Sequence, residues 1–180
     1  AETVHMVLAN MSEALRWCRE QVVDRMNRGM GESEILHDID FPTELFEKPW
    51  MLPIYGDPTY IVRDLFREEN GWWDRNPTTL HPSAQAEAAD AVLSAIGDPS
   101  AVIAKAEQLR DSDQVQLALH VIDLVALADG DGPVVVRARE VKAELCRLRA
   151  KEVTAFVSKS LYESSARLLD DGGTSWTGIN

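Results

Sequence analysis

Cysteine, histidine and strand-forming runs are all scarce in this 180-residue chain, and each scarcity excludes something. Cys18 and Cys146 are the only cysteines. Each sits inside a helical pattern, so they read as small buried hydrophobes of a reduced protein rather than as a disulfide framework. The four histidines, His5, His37, His81 and His120, are all more than thirty residues apart. A catalytic zinc needs about three protein ligands, usually two from one short motif, and neither His-x-His-x-Asp-His nor His-Glu-x-x-His occurs. His37-Asp38-Ile39-Asp40 reads as a solvated helix end, and His120, on an apolar face, as a core residue. A Gly-x-Ser-x-Gly elbow and a phosphate-binding glycine loop are missing too, and Gly29-Met30-Gly31 reads as a helix stop. Basic residues number 18 against 30 acidic ones, a net charge of −12, which excludes nucleic acid and anionic membrane surfaces as partners. No apolar run approaches a membrane span, and no basic-then-apolar leader precedes Glu2.

What remains is helix. Val4, Leu8, Met11, Leu15, Cys18, Val22 and Met26 recur at three- and four-residue steps, one stripe of a helix over residues 3–28 that Gly29 ends. At 1.5 Å per residue it is roughly 40 Å long, suited to bridging domains or subunits. Short helical turns are expected around Ile35–Ile39 and Glu44–Lys48, with Trp50-Met51-Leu52-Pro53-Ile54 as an extended segment laid over hydrophobic neighbours. Helices follow at 58–70 and at 84–96, the latter capped by Ser83 and stopped by Gly97. From Asp98 onward four more are expected: from Pro99 to about Arg110, from Ser112 or Asp113 to about Ala128, from Pro133 to about Lys151, and from Thr154 to Leu169. Pro99 and Pro133 lie 34 residues apart, the period of a tetratricopeptide helix pair. The expected fold is all-α: a long N-terminal helix, a tryptophan-rich corner, then a tetratricopeptide-like antiparallel helical stack. Residues 1–169 form one helical domain in this reading, and the polar, glycine-rich residues 170–180 a flexible tail or linker.

Residues 55–82 carry the densest pattern. Tyr55-Gly56-Asp57-Pro58 opens it, Ile61-Val62-Arg63 follows, and Gly71-Trp72-Trp73-Asp74-Arg75-Asn76-Pro77 with Leu80-His81-Pro82 closes it. Asp57 can cap a helix whose first position is Pro58, and Gly71 can close it in a left-handed conformation. Trp72 and Trp73 are costly to expose and should pack against a core, a partner or a ligand wall. Arg63 offers a planar fork for a sulfate or carboxylate, and Tyr55 one more donor. The plainer reading pairs Arg63 with Asp64, Glu68 or Asp74 and leaves Tyr55 capping a turn. The Trp72–Asn76 loop has two readings as well: a structural filler between the early helices and the later stack, or a channel wall or subunit contact.

This block resembles the Tyr-Gly … Arg/Lys … Gly-Trp-x-Asp-x-Asn-Pro pattern of the alkylsulfatase dimerisation domain, the helical middle domain of metallo-β-lactamase-fold alkylsulfatases such as dodecyl sulfate hydrolases. The resemblance runs from about Glu2 to Leu169. It departs from the pattern at Ile61-Val62, where many members carry His-Asn. It implies a non-catalytic chain that forms a homodimer and joins a catalytic domain holding two zinc ions, with no metal or cofactor in this chain. It implies that Tyr55 and Arg63 lie near a sulfate site of that neighbour. Expected interface residues are Leu8 and Leu15 on the first helix with Trp50, Met51 and Leu52; Trp72, Trp73, Asp74 and Asn76 form the rigid corner. A soluble protein is implied, cytoplasmic in a bacterium or secreted with a signal peptide on the parent. The alternative is a stand-alone tetratricopeptide-like adaptor binding a peptide across residues 98–169.

Overall fold

The computed structural model describes residues 2–173 and Trp176, and every ordered element among them is helical. The helices are α1 (Glu2–Asn27), α2 (Glu32–Asp38), α3 (Thr43–Phe46), α4 (Pro58–Glu68), α5 (Pro77–Leu80), α6 (Gln85–Ala95), α7 (Pro99–Asp111), α8 (Val115–Ala126), α9 (Pro133–Glu152) and α10 (Phe156–Asp170). They divide into two compact units, Ala1–His81 and Pro82–Asn180. Most of the segment expected as a tail, namely residues 174, 175 and 177–180, lies outside the described residues.

Local chemistry sets most helix ends. Asp57, Asn76 and Asp98 each stand before a proline, and each side chain accepts from a backbone N–H two residues on: Thr59 at 2.9 Å, Thr78 at 3.2 Å and Ser100 at 3.0 Å. Proline at the first helical position has no N–H to leave unsatisfied. At the other end, α1, α4, α7 and α10 finish alike, with a left-handed residue (Gly29, Asn70, Asp113 or Gly172) and the next N–H reaching back to a carbonyl of the last turn. In α4 the left-handed residue is Asn70, φ 72°, not Gly71 as expected. Gly71 instead donates to the Phe66 carbonyl at 2.7 Å. A Cβ there would fall 2.4 Å from that oxygen and from the Phe66 ring, so closeness rather than φ demands glycine. Gly71→Ala is therefore expected to cost roughly 1–3 kcal/mol in thermal unfolding. Gly97→Ala, which meets nothing within 4 Å, should be close to neutral. Two expected starts also move: Ala84 rather than Ser83 precedes α6, and α8 begins after Gln114 because Asp113 belongs to the end of α7.

In the first unit α1 packs on α3 and α4, and α2 on α4. Val22, Ile35, Ile39, Val62 and Phe66 form its core. Trp17, Phe41 and Phe46 cluster beside it with centroids 5.0–5.8 Å apart, Phe46 meeting the other two rings edge-on. Arg25 is the one charged residue buried with this core among the described residues. Its guanidinium donates to Asp38 Oδ2 at 2.8 Å, to the Asp38 carbonyl at 3.2 Å and to Gln21 Oε1 at 2.7 Å, which offsets its desolvation. Residues 50–54 do not lie extended over neighbours: Trp50 and Met51 sit in a turn, and Leu52 and Ile54 are exposed.

In the second unit each of α7, α8 and α9 packs on the helix that follows it, and α6 packs on α8. Short connections make consecutive helices antiparallel neighbours. Ile122, Val125, Val141 and Leu145 fill the core, with Ala106, Ala118 and Ala138 allowing close approach. Arg139 closes the end of α8 by donating to the carbonyls of Ala128 at 2.6 Å and Gly130 at 2.9 Å. Both cysteines are buried free thiols, Cys18 in the first unit and Cys146 in the second. Burial pushes the Cys18 thiol up to about 11 and raises that of Cys146 as well. His120 is exposed, contrary to the core position expected, because its neighbours Ala118, Leu119 and Ile122 turn inward instead.

Candidate functional site

The corner after α4 is a single hydrogen-bonded network. Asp74 accepts from the Asn76 N–H at 3.0 Å and from the Thr79 hydroxyl, while Asn76 caps α5. The Thr79 hydroxyl, then the Asn76 N–H, hold the Asp74 carboxyl below the usual carboxylate range. The Trp73 indole N–H donates to the Asn76 carbonyl at 3.1 Å, and the Trp72 ring lies 6.5 Å from that of Trp73. Arg75 takes a left-handed φ of 68°, the local strain at which the chain reverses. The corner thus brings Trp72, Trp73, Asp74 and Asn76 together. Trp72 nevertheless remains 70% exposed, so its ring covers no core of this chain.

Arg63 does not pair with Asp64, Glu68 or Asp74. It donates to Glu32 of α2, a partner 31 residues away that local spacing cannot reveal. Glu32 borders an open cavity of about 500 Å³ between α2, α4 and the corner, lined also by Ser33, Phe66, Arg67, Trp72 and Asp74. Arg67 sits 3.8 Å from Asp64, with most of its side chain in solvent. One guanidinium (Arg67), two carboxylates (Glu32 and Asp74) and the Trp72 indole around this hollow suit binding of a polar group, and Glu32 ties Arg63 to its edge. Tyr55 lies in the bend before α4 and is 73% exposed. Among the described residues no three metal-ligating side chains stand close enough to share an ion.

The second feature is on α1. The stripe that reads as continuous in sequence divides in space: Cys18 and Val22 are buried, whereas Val4, Leu8, Met11 and Leu15 are bare, with Leu8 60% and Leu15 53% exposed. Trp50 donates its indole N–H to Asn10 Oδ1 at 2.8 Å, tying the turn that carries Met51 and Leu52 to this bare half. Four large apolar side chains on one helix face exceed the scattered exposure usual for a free surface.

A bare apolar face on the first helix of an otherwise helical fold is the mark of an interaction domain. More specifically, the chain is a member of the alkyl sulfatase dimerisation family, whose profile matches residues 31–172. It is 26% identical over 147 residues to a linear primary-alkylsulfatase of a Pseudomonas strain, covering 81% of this chain and 27% of that protein. It is 22% identical to an alkyl/aryl-sulfatase of Saccharomyces cerevisiae, covering 94% of this chain and 26% of the relative. An (R)-specific secondary-alkylsulfatase of a Pseudomonas species matches at 23% over 95% of this chain and 26% of its own length. The structure of a stereoselective inverting sec-alkylsulfatase from Pseudomonas superposes with a TM-score of 0.84 at 20% identity, over 99% of this chain and 28% of that one. The chain spans about a quarter of the length of these relatives. The family match leaves the stand-alone adaptor reading of residues 98–169 without support. No helix among the described residues is long and apolar enough to cross a membrane.

Proposed function

We propose that this chain is the dimerisation domain, spanning residues 1–169, of a larger zinc hydrolase that cleaves sulfate esters of alkyl alcohols. The observation that carries the proposal is the bare half of α1. Val4, Leu8, Met11 and Leu15 of one copy pack against a second copy, with Trp50, Met51 and Leu52 flanking them. An obligate pairing of this kind buries upwards of ~2,000 Å² and is largely apolar. The two zinc ions and the bond-breaking chemistry belong to a catalytic domain of metallo-β-lactamase fold, consistent with relatives about four times as long as this chain. Hydrogen exchange tests the pairing. Amides of residues 2–15 should be protected at high protein concentration and lose protection on dilution, while those of residues 18–27 stay protected at both. Protection of residues 2–15 that ignores concentration would contradict it.

In the same reading Tyr55 and Arg63 face the sulfate site of the neighbouring domain. The Glu32 partner holds the Arg63 guanidinium in position until an anion competes for it. In the parent enzyme Arg63→Met is expected to raise KM for an alkyl sulfate about tenfold, the equivalent of roughly 1.4 kcal/mol of lost binding. The dimer should persist in this variant. An unchanged KM would remove Arg63 from the site.

A further inference from the structure

The second unit holds a cavity that subunit pairing does not use. It lies between α8, α9 and α10, has a volume of about 280 Å³, and carries Trp176 in its wall. Its lining is chemically mixed. Leu119, Leu168, Leu169 and the Trp176 ring supply apolar lining, Asp123 and Lys142 a charged pair, and Gln116, His120, Tyr162 and Ser165 further polar groups.

In the charged pair Lys142 Nζ stands 2.7 Å from Asp123 Oδ1. That oxygen is buried and receives no aligned hydrogen bond. The pair is therefore an ion pair with hydrogen-bonding capacity left on both partners. The charges of this pair cancel, so it offers no net attraction to an ion. A sulfate or carboxylate head would stand against the Asp123 carboxylate, and an ammonium against Lys142. A hydroxyl meets neither objection, since it accepts from the ammonium and donates to the carboxylate at once. The volume sits near the lower edge for ligand pockets, roughly 300 Å³, which admits one alkyl chain of moderate length and excludes a two-chain lipid. Contacts within the wall stiffen it: the Tyr162 hydroxyl reaches Gln116 Oε1 at 3.4 Å, and the Arg149 guanidinium lies 5.8 Å from the Tyr162 ring centroid.

We propose that this cavity binds a single-chain amphiphile with a neutral hydroxyl head, an alkyl alcohol, with its oxygen at the Asp123–Lys142 pair and its chain along Leu119, Leu168 and Trp176. The cavity shares no residue with the α1 surface, so alcohol binding and subunit pairing stand or fall separately.

The test is a titration of the purified chain with 1-octanol, followed by calorimetry and by tryptophan fluorescence. Expected are one saturable site per chain and a fluorescence change that Trp176→Phe abolishes while calorimetric binding persists. Octyl sulfate, below its micellar concentration, should bind at least about tenfold more weakly. Ser165→Trp, which fills the cavity, should weaken octanol by about tenfold or more with the helical circular dichroism intact. The proposal is overturned if octanol fails to saturate, if octyl sulfate binds as well, or if the fluorescence change survives in Trp176→Phe. It is equally overturned if a folded Ser165→Trp variant binds octanol unchanged. Should Ser165→Trp unfold, the Trp176→Phe and octyl sulfate comparisons decide the matter.

Discussion

Leu8→Glu combined with Leu15→Glu is expected to halve the mass measured by light scattering, from twice 20.0 kDa to one chain of that mass. Both side chains are more than half exposed in the single chain, so about half of their burial remains to be gained on pairing. Fully burying a leucine is worth roughly 1.5–3 kcal/mol, which leaves about 1 kcal/mol for each of four side chains across a symmetric contact. Losing about 4 kcal/mol weakens association on the order of a thousandfold, before four carboxylates in one interface add their repulsion. Because these positions support no core within the protomer, the helical circular dichroism should be unchanged. A folded double variant that remains a dimer would move the contact away from α1.

Leu145→Ala is expected to produce the largest loss of stability. Leu145 is fully buried on α9, within the cluster that includes Ile122 and Val141. Removing its branched end costs transfer free energy and leaves a void that close-packed neighbours cannot fill, roughly 2–5 kcal/mol. For a chain of this length that corresponds to a fall of about 10 °C in the unfolding temperature of the second unit. Leu161→Ala on α10, where the side chain is exposed, should stay within about 0.5 kcal/mol. Calorimetry of the two variants gives the comparison. Equal shifts would mean that the core is not centred on α8 and α9.

Helix starts such as Asp57-Pro58 and Asp98-Pro99 were legible because the capping atom lies two residues from the N–H it serves. The stop at Gly29 was legible because glycine enters the left-handed region without steric cost. Left-handed positions at non-glycine residues were not: Asn70 and Asp113 look like ordinary turn residues, and only the reach of the following N–H marks them. Periodicity located the stripe on α1 but was blind to its division, because whether Leu15 is bare and Cys18 covered depends on where α3 and α4 stop. His120 shows the opposite failure, since an apolar neighbourhood in sequence places a residue one step around the helix in solvent. Glu32 and Arg67 at the corner cavity carried no signal, because charged residues near helix ends are common and their convergence is long-range. Arg25 escaped notice likewise: its burial follows from Asp38 and Gln21 meeting one guanidinium.

The central claim, that one copy leaves α1 incompletely covered, is tested most directly by static light scattering of the unaltered chain at micromolar concentration. A mass of twice 20.0 kDa is the predicted result. A monodisperse species of 20.0 kDa that persists as the concentration rises would contradict it.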